Sequence, residues 1–116
     1  MRVYIRSASC ISAQNTFGDA VFLNDALHYT TPRLQAIEPD YKPHLDAKAI
    51  RRMSRIIKMG VTAAADCLEQ AAVSMPDAIV TGTAYGCLED TGVFLTRMIG
   101  QDEQDLSPTA FIQSTH

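Results

Sequence analysis

Cysteine and histidine are the side chains best suited to nucleophilic or metal chemistry near neutral pH, and this chain has three of each. Cys10, Cys67 and Cys87 form an odd set with no C-x-x-C spacing, and His28, His44 and His116 are scattered, so the pattern argues against a metal site. A cysteine nucleophile needs a base beside it, and no histidine is local in sequence to any of the three. Cys67 falls in the middle of an expected helix, between Asp66 and Leu68, and reads as a small apolar structural thiol. Cys87 opens another expected helix, the one position where a depressed thiol pKa is expected.

Glycines bracket the turn in AIVTGTAYGCLEDTGVFL, residues 78–95, where a β-branched run leads into an amphipathic helix. Such joints often cradle phosphate. GTAYG, however, has neither the G-x-G-x-x-G of a dinucleotide loop nor the Lys-Ser/Thr that closes a P-loop. Glu89 and Asp90 in the first turn of the following helix suit its dipole and would repel a phosphate. The plain reading is a tight turn whose glycines permit positive φ or close packing.

The strongest electrostatic feature is a run of cations. Residues 1–58 carry nine basic and five acidic side chains, whereas residues 59–116 carry one basic and eight acidic. Lys48, Arg51, Arg52, Arg55 and Lys58 place half of the basic residues within eleven positions. The first four recur at spacings of three and four, which on a continuous helix puts them on one side of its first two turns. There the dipole disfavours each exposed cation by about 0.3–1 kcal/mol. One reading is a solvated mixed-charge surface; the other is a landing site for an acidic partner. Nucleic acid fits less well, because the chain's net charge is −3 and no aromatic residues interleave with the cations.

These residues need elements to hold them. Val3–Ile5 opens an expected strand that runs on to about Ala13, and residues 14–46 are irregular, with a short helix over Asp19–His28 and breaks at Pro32, Pro39 and Pro43. From Ala47 to Val73 the apolar residues Ile50, Met53, Ile57, Val61, Ala64, Leu68 and Ala71 predict one long helix, N-capped by Asp46, with small residues allowing close approach of a neighbour. Met75-Pro76-Asp77 leads to a strand over Ala78–Thr81, the glycine turn, a helix over Leu88–Ile99, an acidic break, and a new element starting at Ser107-Pro108. The order strand, long helix, strand, helix predicts a layered α/β arrangement with right-handed crossovers. At 116 residues, 47% hydrophobic and 20% charged, the composition is that of one modest globular domain. With no apolar run of membrane-spanning length and no signal pattern after Met1, a cytoplasmic protein is the default expectation.

Four collinear blocks resemble the N-terminal region of the β-ketoacyl-(acyl carrier protein) synthases, condensing enzymes of the thiolase superfamily. RVYIRSASCISAQN is similar to their first strand, and KAIRRMSRIIKMGVTAAADCLEQAAV to their R-R-M-opened helix with its Ala-rich second half. AIVTGTAYGCLED is similar to the strand and glycine turn that follow, and LSPTAFIQSTH to a Ser-Pro segment leading to a dimer-interface helix. Arg6-Ser7 in place of the usual Thr-Gly, and Ala84 and Cys87 in place of turn glycines, mark a divergent branch.

The resemblance implies a partial thiolase-like α/β fold, with residues 1–116 as an N-terminal fragment of a synthase domain. It implies decarboxylative Claisen condensation of acyl and malonyl thioesters, in fatty acid or polyketide and polyene biosynthesis, with no metal or organic cofactor of the enzyme's own. The family's nucleophilic cysteine and paired histidines lie beyond the matched blocks, so no catalytic residue is assigned and the 116 residues alone are expected to be inactive. Lys48, Arg51 and Arg52 match positions that grip the acyl carrier protein, and Tyr85 matches a turn position lining the acyl tunnel. A homodimer or heterodimer is implied for the parent protein. Two alternatives stay open: a non-catalytic partner resembling a chain-length factor, and a free-standing small α/β module that binds an acidic protein.

Overall fold

The computed structural model describes residues 1–18, 26–102, 104 and 106–115. Four helices order the chain: α1 over Ala47–Ile50, α2 over Arg55–Gln70, α3 over Leu88–Gly100 and α4 over Pro108–Ser114. No strand occurs among the described residues, so the four helices there are not plainly the expected α/β arrangement. The two expected strands are present as unpaired segments: Val3, Tyr4 and Ile5 are exposed, as are Ile79 and Val80. A β-branched run becomes a strand only when a neighbour takes its backbone hydrogen bonds in a ladder, and among the described residues neither segment builds one; the first has a bond from the Ile37 N–H to its Ser12 carbonyl at 2.8 Å. The short helix expected over Asp19–His28 falls largely on residues 19–25, outside the described residues; residues 26–28 are not helical.

The expected 27-residue helix is divided. Asp46 does cap an N-terminus, its Oδ2 accepting from the Lys48 and Ala49 backbone N–H groups at 2.9 and 3.3 Å, but the helix it opens ends after one turn. Ser54 then adopts an extended conformation, and its hydroxyl accepts from the Ile57 N–H at 3.4 Å to start α2. A serine in mid-pattern can satisfy a helix N-terminus as well as continue a helix, and here it caps. At the other end, the Val73 N–H reaches the Leu68 carbonyl at 3.0 Å and the Ala72 N–H reaches Glu69 at 2.9 Å. That is the Schellman pattern, made with Ala72 at φ +51° where glycine is the usual occupant.

Helix α3 begins at Leu88 as expected, and α4 begins with Ser107 as its cap and Pro108 at its first position. Phe94 and Phe111 meet edge to face with centroids 5.7 Å apart, and the Thr91 hydroxyl donates to the Ser114 carbonyl at 3.1 Å, which seats α4 on α3. Helices α3 and α4 are the one helix pair with a substantial shared interface among the described residues.

The face that α2 covers is polar. Ser54, Thr62 and Asp66 are buried along it, while Ile56, Gly60, Val61 and Ala64 stay exposed, so part of the expected apolar stripe faces outward. The N-terminal segment lies against the polar face: Ser9 Oγ donates to Asp66 Oδ2 at 2.5 Å, and Ser7 Oγ donates to the Cys67 carbonyl at 2.7 Å. Ala71, Cys87 and Ala110 are the buried apolar residues among those described. The chain consequently keeps 9,646 Å² of accessible surface, against about 6,200 Å² for a folded monomer of its mass. Its radius of gyration is 17.3 Å, against about 13 Å for a compact domain of this length.

Candidate functional site

A cleft of about 570 Å³ opens between the first turns of α2 and the turn that leads into α3. Arg55, Ile56 and Met59 form one wall; Thr83, Ala84, Tyr85 and Gly86 form the other, and Leu88, Glu89 and Asp90 extend it along α3. Gly86 sits at φ +54°, and its N–H donates to Thr83 Oγ1 at 2.9 Å, so glycine is required there to reverse the chain. Gly82 answers neither expectation for the turn glycines, since its φ is not positive and a Cβ added there would meet nothing within 4 Å. Tyr85 stands at the rim, 80% exposed.

Cys87 closes the inner end. It is the N-cap residue of α3 and only 4% exposed, and its Sγ lies 3.2 Å from the Ser54 hydroxyl. The sequence marks Cys87 as a potential reactive thiol, but the structure faces it with a neutral hydroxyl in a buried joint. Cys67 touches Ser7 at 3.0 Å, and Cys10 is exposed.

The basic run is divided with its helix. Lys48 lies in α1, Arg51 is its C-cap residue, Arg52 occupies the turn, and Arg55 is the first residue of α2. The four therefore do not line the opening turns of one helix: Arg55 stands at the start of α2 and Lys48 in the single turn of α1, while Arg51 and Arg52 escape the expected dipole penalty. At the C-terminal end of α1 the dipole favours a cation such as Arg51. Arg55 is also neutralised: its Nε lies 2.5 Å from Glu38 Oε1. Glu38 further accepts from the Tyr41 hydroxyl at 2.5 Å, and Lys58 Nζ stands 5.8 Å from the centre of the Tyr41 ring.

These contacts explain the local protonation. Hydrogen bonds from Tyr41 and then Arg55 hold the Glu38 carboxyl below its ordinary value, and burial followed by the Glu38 hydrogen bond pushes the Tyr41 phenol up. Lys48, Arg51 and Arg52 are exposed and have no carboxylate within ion-pair distance among the described residues. The internal contacts thus take up Arg55 and Lys58 and leave three cations facing outward.

Sequence reasoning missed Glu38 and Tyr41, which reach α2 from a proline-bounded loop, and Ser54, whose capping role is visible only as a serine inside an apolar pattern. Among the described residues, no helix is long and apolar enough to cross a membrane. Comparison with protein-family models, with curated proteins and with solved structures gives no match.

Proposed function

We propose that the chain is part of a β-ketoacyl-(acyl carrier protein) synthase, of a divergent branch, and that it supplies the carrier-docking edge and one rim of the acyl channel. The observation that carries this reading is a juxtaposition. The outward cations Lys48, Arg51 and Arg52 end at Arg55, and Arg55 is itself a wall of the cleft that Tyr85 rims. An acidic carrier landing on the cations would present its thioester arm beside that cleft. Ile56, Met59 and Leu88 offer apolar contact to an acyl chain, and Tyr85 at the rim restricts its path. The condensation chemistry, with its thiolate and oxyanion donors, belongs to residues outside this set.

The exposed segments at Val3–Ile5 and at Ile79 and Val80 support the same reading, because β-branched runs exposed on both faces suit strands of a sheet covered on both sides. Binding of an acyl carrier protein, followed by fluorescence anisotropy across a salt series, tests the docking edge. Reversing Arg51 and Arg52 to Glu is expected to weaken binding and flatten its salt dependence. Unchanged affinity at low salt would remove the basis of the proposal.

A further inference from the structure

Arg55 is the one cation of the Lys48–Lys58 run that meets a carboxylate among the described residues. That carboxylate is not a sequence neighbour: Glu38 reaches it from the loop before α1, seventeen positions away. The loop is shaped by its own bonds. Asp40 Oδ1 accepts from the Lys42 N–H at 3.1 Å, and the Tyr41 carbonyl accepts from the His44 and Leu45 N–H groups at 3.1 and 2.9 Å. It sets Glu38 against Arg55 and Tyr41 against Lys58, two residues of α2 that share a side of the helix. Glu38 takes only the Nε of Arg55. The two terminal nitrogens make no hydrogen bond among the described residues, and the side chain is 45% exposed. A guanidinium carries five N–H donors in a fork that fits a carboxylate, so most of this fork is open to a second one. Glu89 lines the same cleft but stays beyond ion-pair distance of Arg55.

We infer that Arg55 is a fourth cation of the docking edge and that Glu38 is its internal competitor, so that Glu38 and a carboxylate of an acidic partner contend for one guanidinium. Arg55 lies three residues beyond Arg52, where the outward cations Lys48, Arg51 and Arg52 end. A partner carboxylate arriving along that edge meets the terminal nitrogens, while Glu38 cancels much of their charge. Two carboxylates on one guanidinium repel each other, and the partner binds fully only as Glu38 yields. Glu38 yields at small cost, since an ion pair this exposed contributes little. The edge thus offers three cations at rest and four when engaged.

The inference rests on the docking reading for the identity of the partner, so its test uses two ligands. A fluorescent deca-glutamate peptide supplies carboxylates alone, and an acyl carrier protein supplies the proposed partner. Both are titrated against the full chain by anisotropy at low salt. Glu38→Gln is expected to tighten peptide binding about three- to fivefold, the scale of an exposed ion pair's competition. Added salt is expected to shrink that gain. Arg55→Gln is expected to change wild-type binding little and to abolish the gain from Glu38→Gln, a coupling that a general charge effect does not produce. Asp40→Asn removes the same charge from the same loop without touching Arg55, and is expected to gain less. Circular dichroism verifies α2 in each variant. Equal affinity of Glu38→Gln and wild type, a gain that survives Arg55→Gln, or an equal gain from Asp40→Asn overturns the inference. If Glu38→Gln tightens the peptide while the carrier protein binds neither chain, the docking reading falls and the competition stands. If the carrier protein binds and neither ligand distinguishes Glu38→Gln from wild type, the competition falls and the docking reading stands.

Discussion

Thr62 is fully buried in the middle of α2, and its Oγ1 has no hydrogen-bond partner among the described residues. A buried hydroxyl in that state has given up its bonds to water and received none in return, at a cost of about 1–3 kcal/mol. Thr62→Val replaces the hydroxyl with a methyl of nearly the same shape. It leaves the β-branched rotamer and the helix propensity almost unchanged. The expected effect is stabilisation by about 1–2 kcal/mol, the lower part of the desolvation range, because the denatured chain already shields some of this surface. For a domain near 100 residues that corresponds to a rise of about 4–10 °C in the midpoint of a helix melt followed at 222 nm. Thr62→Ser keeps the hydroxyl and removes the methyl, so it is expected to lower the midpoint. If Thr62→Val instead destabilises the chain by as much as Thr62→Ser, the hydroxyl is bonded in solution and the reasoning fails.

Two further predictions follow from local geometry. Ala72 holds the left-handed position of the Schellman motif at φ +51°, and relieving about 1–2 kcal/mol of steric cost there outweighs the added freedom of an unfolded glycine. Ala72→Gly is therefore expected to raise thermal stability slightly and Ala72→Val to lower it, as read by the same melts; a lower midpoint for Ala72→Gly would contradict the cap assignment. Glu38 has its folded pKa depressed below 4.5, so its bonds to Tyr41 and Arg55 contribute fully above that pH and are lost as pH falls through the lower folded value. Amide exchange in residues 38–41 is expected to accelerate, relative to the α2 interior, as pH drops from about 5 towards 3, after correction for intrinsic exchange. Glu38→Gln is expected to abolish that window.

Much of the helical punctuation was legible in the residue types. Asp46 and Ser107 announce helix starts through side chains that accept backbone N–H bonds, and Leu88 begins an amphipathic repeat right after the glycine turn. The division at Ser54 was hidden, because apolar spacing continues through it and capping is a local choice that periodicity does not record. The expected strands were read from β-branched composition, which specifies a preference but not a partner. The buried side of α2 was misjudged for a related reason. Ser7 and Ser9 take the polar side through Asp66 and the Cys67 carbonyl, and Ile56 and Val61 are left exposed. Of the candidate site, Lys48, Arg51, Arg52 and Tyr85 could be named from sequence, whereas Glu38, Tyr41 and Ser54 come from segments whose approach depends on tertiary folding.

The meeting of Ser54 Oγ and Cys87 Sγ at 3.2 Å has a mechanical consequence. It joins the N-cap of α2 to the N-cap of α3, and both residues are buried there, at 2% and 4% exposure. Gln113, on the helix seated against α3, adds a second tie by donating its Nε2 to the Arg51 carbonyl at 3.4 Å. A substitution that enlarges either residue of the joint therefore has no solvent to expand into and must push the two helix starts apart, which widens the cleft between them.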